Sequence, residues 1–379
     1  MAAPLAAQRP DSVVTVSVVP GVVHRHLLVG EGPWNVNVLE VNLRQPGISI
    51  RAVHADDKLR GLETVRVMVH RKTTDTATVV AAINADFFNL KTGEDENNQV
   101  IEGEIWKGVL FADAPADTGR HVHAQLGVAG SGRPLIDPFV FRGVVLRPRG
   151  QRLQLDAINH RPNANSIVLY TARFGATPPW DSAGTTNDIR LRYLTSRGDT
   201  SVYQVVSFPM AGGTAPLADG PVLSVPVTLD TSRDVPRPGE TIRIQTNLRP
   251  APLGLRTVIG GWPRLVVHGQ SIADSVDRLE GTVPSFSVTR HPRTGVGFSR
   301  DSMTLLLITV DGRQESSSGM SLVEFASLML KLGVYEGLNL DGGGSTTMVI
   351  NGKVVNAPSD KQGERPVGNA LLVVLTRRE

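Results

Sequence analysis

Four short segments carry residue types that could do chemistry. In Asn339-Leu340-Asp341-Gly342-Gly343-Gly344-Ser345 an apolar strand delivers a carboxylate to its end. Three glycines then let backbone approach a ligand closely, and successive N–H groups could form an anion-binding nest. A tight hairpin is the competing reading. Asn84-Ala85-Asp86-Phe87-Phe88-Asn89 also ends an apolar run. An Asp beside two phenylalanines is either a partly desolvated carboxyl with a raised pKa or a turn residue beside core aromatics. Arg290-His291-Pro292-Arg293 offers guanidinium groups suited to bidentate phosphate binding, unless it is a solvated loop. Asp311-Gly312-Arg313 follows a core strand, and Ser316 to Met320 then lead to a helix whose N-terminus could receive an anion. A flexible serine loop is the alternative there.

The elements that must position these residues are mostly strands. Val13 to Val19, Val36 to Val41 and Thr78 to Ile83 read as strands. The second alternates as a half-buried strand would, and the third is apolar throughout and so buried. Leu62 to Val69 predicts a short helix. Ser321 and Glu324 form a capping-box pattern, and Leu322, Phe325, Ala326, Met329 and Leu332 share one helical face before Gly333. A hairpin is expected around Asn351-Gly352, and a last buried strand over 370–375. Residues 126–250 are rich in Gly, Pro, Thr and Val, with strand runs between turn signals and almost no helix signal.

Composition narrows the function classes. The chain has 379 residues with 39 basic and 36 acidic side chains. That balance, with no interleaving of aromatic and basic residues, argues against a nucleic-acid partner. There are no cysteines, which excludes disulfides, thiolate nucleophiles and Cys-based zinc sites. No apolar run is long enough to span a bilayer, so no transmembrane segment is expected. Met1 to Arg9 has neither a basic n-region nor an apolar h-region, so no intact signal peptide is expected. His121 and His123 are spaced as neighbours on a strand face, but no third ligand completes a metal set. No GxSxG elbow, HExxH or P-loop occurs.

Taken together, these segments resemble the phosphodiester glycosidase family. The matching stretches are Ile83 to Phe88, Ile259 to Val266, His291 to Gly297, Leu307 to Arg313, Gly319 to Leu330, Leu338 to Val349, Asn351 to Asp360 and Arg365 to Val367. Asn339 to Ser345 is the most specific of them. Ala85-Asp86 stands where members commonly have two glycines, and 92–100 is longer and more acidic than usual.

The resemblance implies hydrolysis of a sugar-1-phosphodiester at the glycosidic C–O bond, giving a free sugar and a phosphate monoester. It implies Asp341 and Asp311 as the carboxylates nearest the sugar, with Asp86 or Glu94 as partners. Arg293, Arg365 and the Gly342-Gly343-Gly344-Ser345 backbone become phosphate-binding candidates, supported by Thr294, Asn369 and Asn84. No cofactor is required, although a divalent cation stays open. The expected partner is a phosphorylated glycan, and the expected location is secreted or extracytoplasmic, with a cytoplasmic one left open. A non-catalytic polymer-binding protein and a metal-dependent phosphodiesterase are the alternatives. The fold expected is α+β: a β-rich mixed-sheet catalytic core with few helices and an inserted all-β region. The core spans 80–125 and 251–379, an N-terminal segment 1–79 packs on it, and 126–250 is the insertion.

Overall fold

The computed structural model describes residues 11–30, 32–110, 123–207, 210–230, 234–250 and 254–377. His121 lies outside them, and His123 stands in coil rather than in a strand.

The protein is strand-rich, with few helices. An eight-stranded antiparallel sheet contains, side by side, Trp34–Asn42, Thr304–Val310, Arg293–Phe298 and Glu336–Leu340. A five-stranded antiparallel sheet contains Ala77–Asn84 between Met348–Ile350 and Asn369–Thr376, with Ile48–His54 at one edge. The two sheets face each other across one apolar core: Val296, Leu307 and Leu340 from the first, and Ile83, Leu371 and Val373 from the second. Each outer face is closed by a helix. Leu322–Lys331 contributes Leu322, Phe325 and Met329 to a cluster with Val38 and Ile308 of the larger sheet. Val65–Lys72 contributes Val65, Met68 and Val69 to a cluster with Val79 and Val374 of the smaller one. The core is therefore layered helix, sheet, sheet, helix, and each layer covers an apolar face that the next would otherwise leave in water.

Sequence chemistry explains the helix positions. Ser321 and Glu324 form the expected capping box, with Ser321 N–H donating to Glu324 Oε2 at 2.9 Å and Glu324 N–H to Ser321 Oγ at 3.3 Å. Gly295 lets this helix settle onto the sheet, because a Cβ there would lie 2.5 Å from Met329 Cε. The other helix covers Val65–Lys72, three residues later than the apolar run suggested, because Thr64 caps it and Thr73 leaves it in an extended conformation.

The fold is of the expected class, α+β and β-rich with few helices, and three details differ. Residues of 1–79 do not form a separate layer: Trp34–Asn42 and Ile48–His54 are members of the two core sheets. Val36, Asn37, Val38 and Leu39 are all buried rather than alternating, because that strand is covered by the second sheet on one side and helix on the other. Antiparallel pairing dominates, and among the described strands the sheet becomes mixed where Ala157–Ile158 pairs in parallel with Val168–Tyr170. A second body of strand, drawn from Val140 to Arg249, forms a nine-stranded sheet with its own core around Phe141, Ile189 and Ile244. Gln125–Ala129 and Pro134–Asp137 sit instead in a smaller sheet with Leu255–Gly260.

Candidate active site

The central sheet order brings the chemistry together. Arg293–Phe298 runs between the strand that ends before Asp311 and the strand that ends before Asp341, with Thr294 opposite both Thr309 and Leu340. The facing sheet adds the end of Ala77–Asn84. Asn84 Nδ2 donates to Asp341 O at 2.6 Å, and Asn84 Oδ1 accepts from Thr294 Oγ1 at 2.9 Å and Thr347 N–H at 3.0 Å. Asp341 N–H donates to Ala85 O at 2.9 Å. Asn84 and Thr294 are fully buried, so they act as a clip that fixes Asp341 across the two sheets.

The Asp341 carboxyl is held in a desolvated place. Burial pushes its pKa up to about 6, against Ser345, Arg365 and the Gly342 N–H, which favour the charged form. Each glycine of the loop has its own steric reason. A Cβ on Gly342 would lie 2.6 Å from Pro292 O, and Gly343 has φ +59°. A Cβ on Gly344 would lie 2.1 Å from Arg365 Nη2 and 2.2 Å from Asp360 Oδ1. The bare backbone thus lets a bidentate pair sit on it: Arg365 Nε to Asp360 Oδ2 at 2.7 Å and Nη2 to Oδ1 at 3.0 Å. The loop is less of an anion nest than its glycines suggest. Gly343 N–H donates to Pro292 O at 2.9 Å, Ser345 N–H to Gly342 O at 3.1 Å and Thr346 N–H to Gly343 O at 3.3 Å.

Two residues absent from the sequence-derived site stand beside that loop. Arg313 Nη2 lies 3.1 Å from the position of a Gly343 Cβ, and it reaches His291 Nδ1 at 3.4 Å. Burial and then the neighbouring Arg293 and Arg313 hold the His291 pKa below its usual value, which leaves a neutral imidazole at pH 7. The signal for Arg313 was its place in Asp311-Gly312-Arg313, where φ +61° at Arg313 turns the chain sharply after the strand.

Asp311 is buried nearby. Its Oδ1 accepts from Asn356 Nδ2 at 3.1 Å and Ala357 N–H at 3.0 Å, while Oδ2 is buried without a hydrogen-bond partner among the described residues. Burial raises its pKa, partly offset by those donors. Asn356 also donates to Thr346 O at 3.0 Å, which links Asp311 to the loop that carries Asp341.

Other expected residues hold different positions. Arg293 begins a central strand instead of lying in a solvated loop. Its guanidinium donates to the backbone carbonyls of Met320 at 2.8 Å, Phe286 at 2.8 Å and Thr289 at 3.0 Å. The Asp86 carboxyl is sealed by amides: Asn97 Nδ2 at 2.8 Å, Gln99 Nε2 at 2.7 Å and Asn97 N–H at 3.2 Å. Burial, then Asp95, push its pKa well up. Gly260 is needed at its flank, since a Cβ there would lie 2.2 Å from Asp86 Oδ1. Asn369 Oδ1 receives the Asp86 N–H at 2.8 Å, so it supports this amide shell. Glu94 belongs to another ion cluster, with Lys107 Nζ at 3.2 Å and His160 Nδ1 at 3.7 Å. Burial works against its ionisation, but His160 and Lys107 outweigh that and hold its pKa at about 2. The helix start at Ser321 is closed by Glu324 and is not an open anion site. Ser317 is buried, and its hydroxyl donates to Asp311 O at 2.7 Å, so the serine run is anchored at its centre. Among the described residues no three His, Asp or Glu side chains gather as metal ligands. No helix among them is long and apolar enough to cross a membrane.

Residues 212–374 match a family model described as phosphodiester glycosidase. The match takes in Asp311, Arg313, Asp341 and Arg365, but not the segment around Asp86. An uncharacterised SPbeta prophage-derived protein of Bacillus subtilis is 44% identical over 84 residues, 22% of this chain and 13% of its own length. The N-acetylglucosamine-1-phosphodiester alpha-N-acetylglucosaminidase of Bos taurus is 47% identical over 68 residues, 18% of this chain and 12% of its own. The chain thus spans less than a sixth of the length of these relatives. Among solved structures, a hypothetical protein from Synechocystis superposes with TM-score 0.76 at 20% identity, over 96% of this chain and 64% of that one. A Burkholderia pseudomallei protein named as an exported one superposes with TM-score 0.69 at 23% identity, over 90% of this chain and 74% of that one. At these identities the likeness is one of fold.

Proposed function

We propose, from the premise that this chain belongs to the phosphodiester glycosidase family through residues 212–374, that it hydrolyses sugar-1-phosphodiesters at the glycosidic C–O bond. The observation that carries the reading is one arrangement: the Asp341 carboxyl, its pKa raised to about 6, beside a glycine loop on which Arg313 and Arg365 rest.

In this reading the substrate phosphate lies against Arg313 and Arg365, with His291 beside Arg313, and the sugar's anomeric carbon faces Asp341. As the bond to the phosphate oxygen breaks, its electron pair leaves with the phosphate and positive charge builds on the ring. A carboxylate in a desolvated site stabilises that charge more than one in water would. The oxygen of water bonds to carbon, and its proton passes to one of the two carboxylates, Asp341 or Asp311. A phosphate monoester has a second pKa of about 6, so it can depart without a strong general acid. Two guanidinium groups suffice to hold it. The substrate is a phosphorylated glycan or a smaller sugar-1-phosphodiester. An extracytoplasmic site of action agrees with the exported fold neighbour from Burkholderia pseudomallei.

Hydrolysis in ¹⁸O-labelled water tests the reading directly. The label should enter the anomeric hydroxyl of the released sugar, with the phosphate monoester unlabelled. Label on the phosphate would assign the enzyme to phosphodiester cleavage at phosphorus and overturn it.

A further inference from the structure

Away from Asp341, a cavity of about 790 Å³ opens between the strand Glu104–Lys107 and the hairpin made by Thr186–Arg197 and Thr200–Val205. Its size falls in the ordinary range for small-ligand sites, roughly 300–1,000 Å³. The floor is apolar and includes Ile158, Leu169 and Ile244, all buried. Tyr193 and Tyr203 pair across the hairpin, ring centroids 5.8 Å apart at 71°. Tyr203 is buried, whereas Tyr193 is 51% exposed and presents its ring to the opening. Its hydroxyl donates to Ser196 Oγ at 2.9 Å, which fixes the ring's direction. A register shift after Tyr193 lets Tyr193 and Ser196, three residues apart, meet in this way.

The charges define the ligand. Glu102, Glu104 and Asp199 line the cavity against one lining arginine, Arg173. Arg173 is already paired with Glu104 at 2.9 Å and lies over the Trp106 ring at 4.2 Å. Glu102 and Glu104 are themselves paired, with Arg256 and Arg173, so the cavity offers neither a spare cation for a phosphate or carboxylate nor a strong net charge, which favours an uncharged ligand. It does offer an aromatic face and hydroxyl or carboxylate partners at Ser196, Ser201, Asp199 and Thr246. A sugar ring presents C–H groups on one face and hydroxyls around its rim, which suits that combination.

We propose that this cavity is a binding site for an uncharged saccharide segment, separate from the Asp341 site. The inference does not depend on which bond, if any, the Asp341 site cleaves. The test uses the full chain carrying Asp341→Asn, so that no turnover intervenes, titrated by calorimetry with chitohexaose, cellohexaose and maltohexaose. At least one should bind, and binding should weaken by about tenfold or more in Tyr193→Ala. Ser196→Arg, on the exposed hairpin, should abolish it by filling the mouth with a long charged side chain. Hexagalacturonate should bind more weakly than the best neutral hexamer. Absence of binding by all three neutral hexamers, tighter binding of hexagalacturonate, or binding unchanged in a folded Ser196→Arg variant would overturn the proposal.

Discussion

Asp341 and the arginines near it carry the sharpest expectations at the scale of single residues. Asp341 is raised from its ordinary 3.8 to about 6, so the folded protein binds its proton more tightly than the unfolded chain does. The stability contribution is then fully present below about pH 4 and lost as pH rises through 6. Asp341→Asn removes a charge that its half-buried surroundings disfavour. It should reduce kcat by about a hundredfold to a thousandfold, the scale of losing one electrostatic group at a transition state. It should also leave the melting temperature at pH 8 unchanged or higher. In the wild type, kcat/KM should fall as pH drops below about 6, because the proposed role of Asp341 needs its carboxylate form and protonation sets in near that pH. Near-normal turnover in the variant would remove Asp341 from the mechanism. Arg313 and Arg293 should separate cleanly. Arg313→Gln should lower kcat/KM by about a hundredfold or more with little change in stability. Arg293→Gln should instead destabilise the fold by about 3 kcal/mol or more, because the three carbonyls it serves lose charge-assisted donors. Activity assays and thermal melts on the two variants distinguish these outcomes.

For the loop and helix elements, the glycine turn matters as a surface of contact more than as a set of donors. Gly344→Ala would push a methyl group into the Arg365–Asp360 pair. The pair is part-exposed and can move, so folding should survive with a loss of about 1–2 kcal/mol, while kcat/KM should fall by about tenfold or more as Arg365 shifts. A Gly344→Ala variant that keeps full kcat/KM would show that the Arg365 position is not needed for turnover. The capped helix Leu322–Lys331 was legible in full, because a capping box and an apolar stripe are local patterns. Arg293 was not. Its sequence neighbours His291 and Pro292 suggest a loop, and only the pairing of Arg293–Phe298 with strands on both sides buries it.

The whole molecule depends on how two sheets meet, and Asn84 stands at that meeting. It links Asp341 O, Thr294 Oγ1 and Thr347 N–H, contributed by both sheets. Asn84→Ala should leave buried donors and acceptors unpaired and cost about 2–4 kcal/mol, measured by denaturant unfolding. It should lower kcat as well, since Asp341 loses its support across the interface. An Asn84→Ala variant with unaltered midpoint and kcat would show that the clip carries no energy.

By itself the sequence determined the identities and local settings of the groups: carboxylates at strand ends, a glycine turn, a capped helix and a β-rich middle. Short-range rules of periodicity, capping and turn chemistry govern all of these, so about ten residues of context were enough. The tertiary structure alone decided which of those groups share a site. Asp86, Glu94 and Arg293 carry the same side-chain chemistry as Asp341, Asp311 and Arg313. Sheet order and the facing of two sheets seal Asp86 under amides, pair Glu94 with Lys107 and bury Arg293 among carbonyls. The same long-range pairing leaves Arg313 over the Gly343 backbone, in the loop that follows Asp341. Charge and residue type are local properties, whereas desolvation and proximity arise from strand register between segments far apart in the chain.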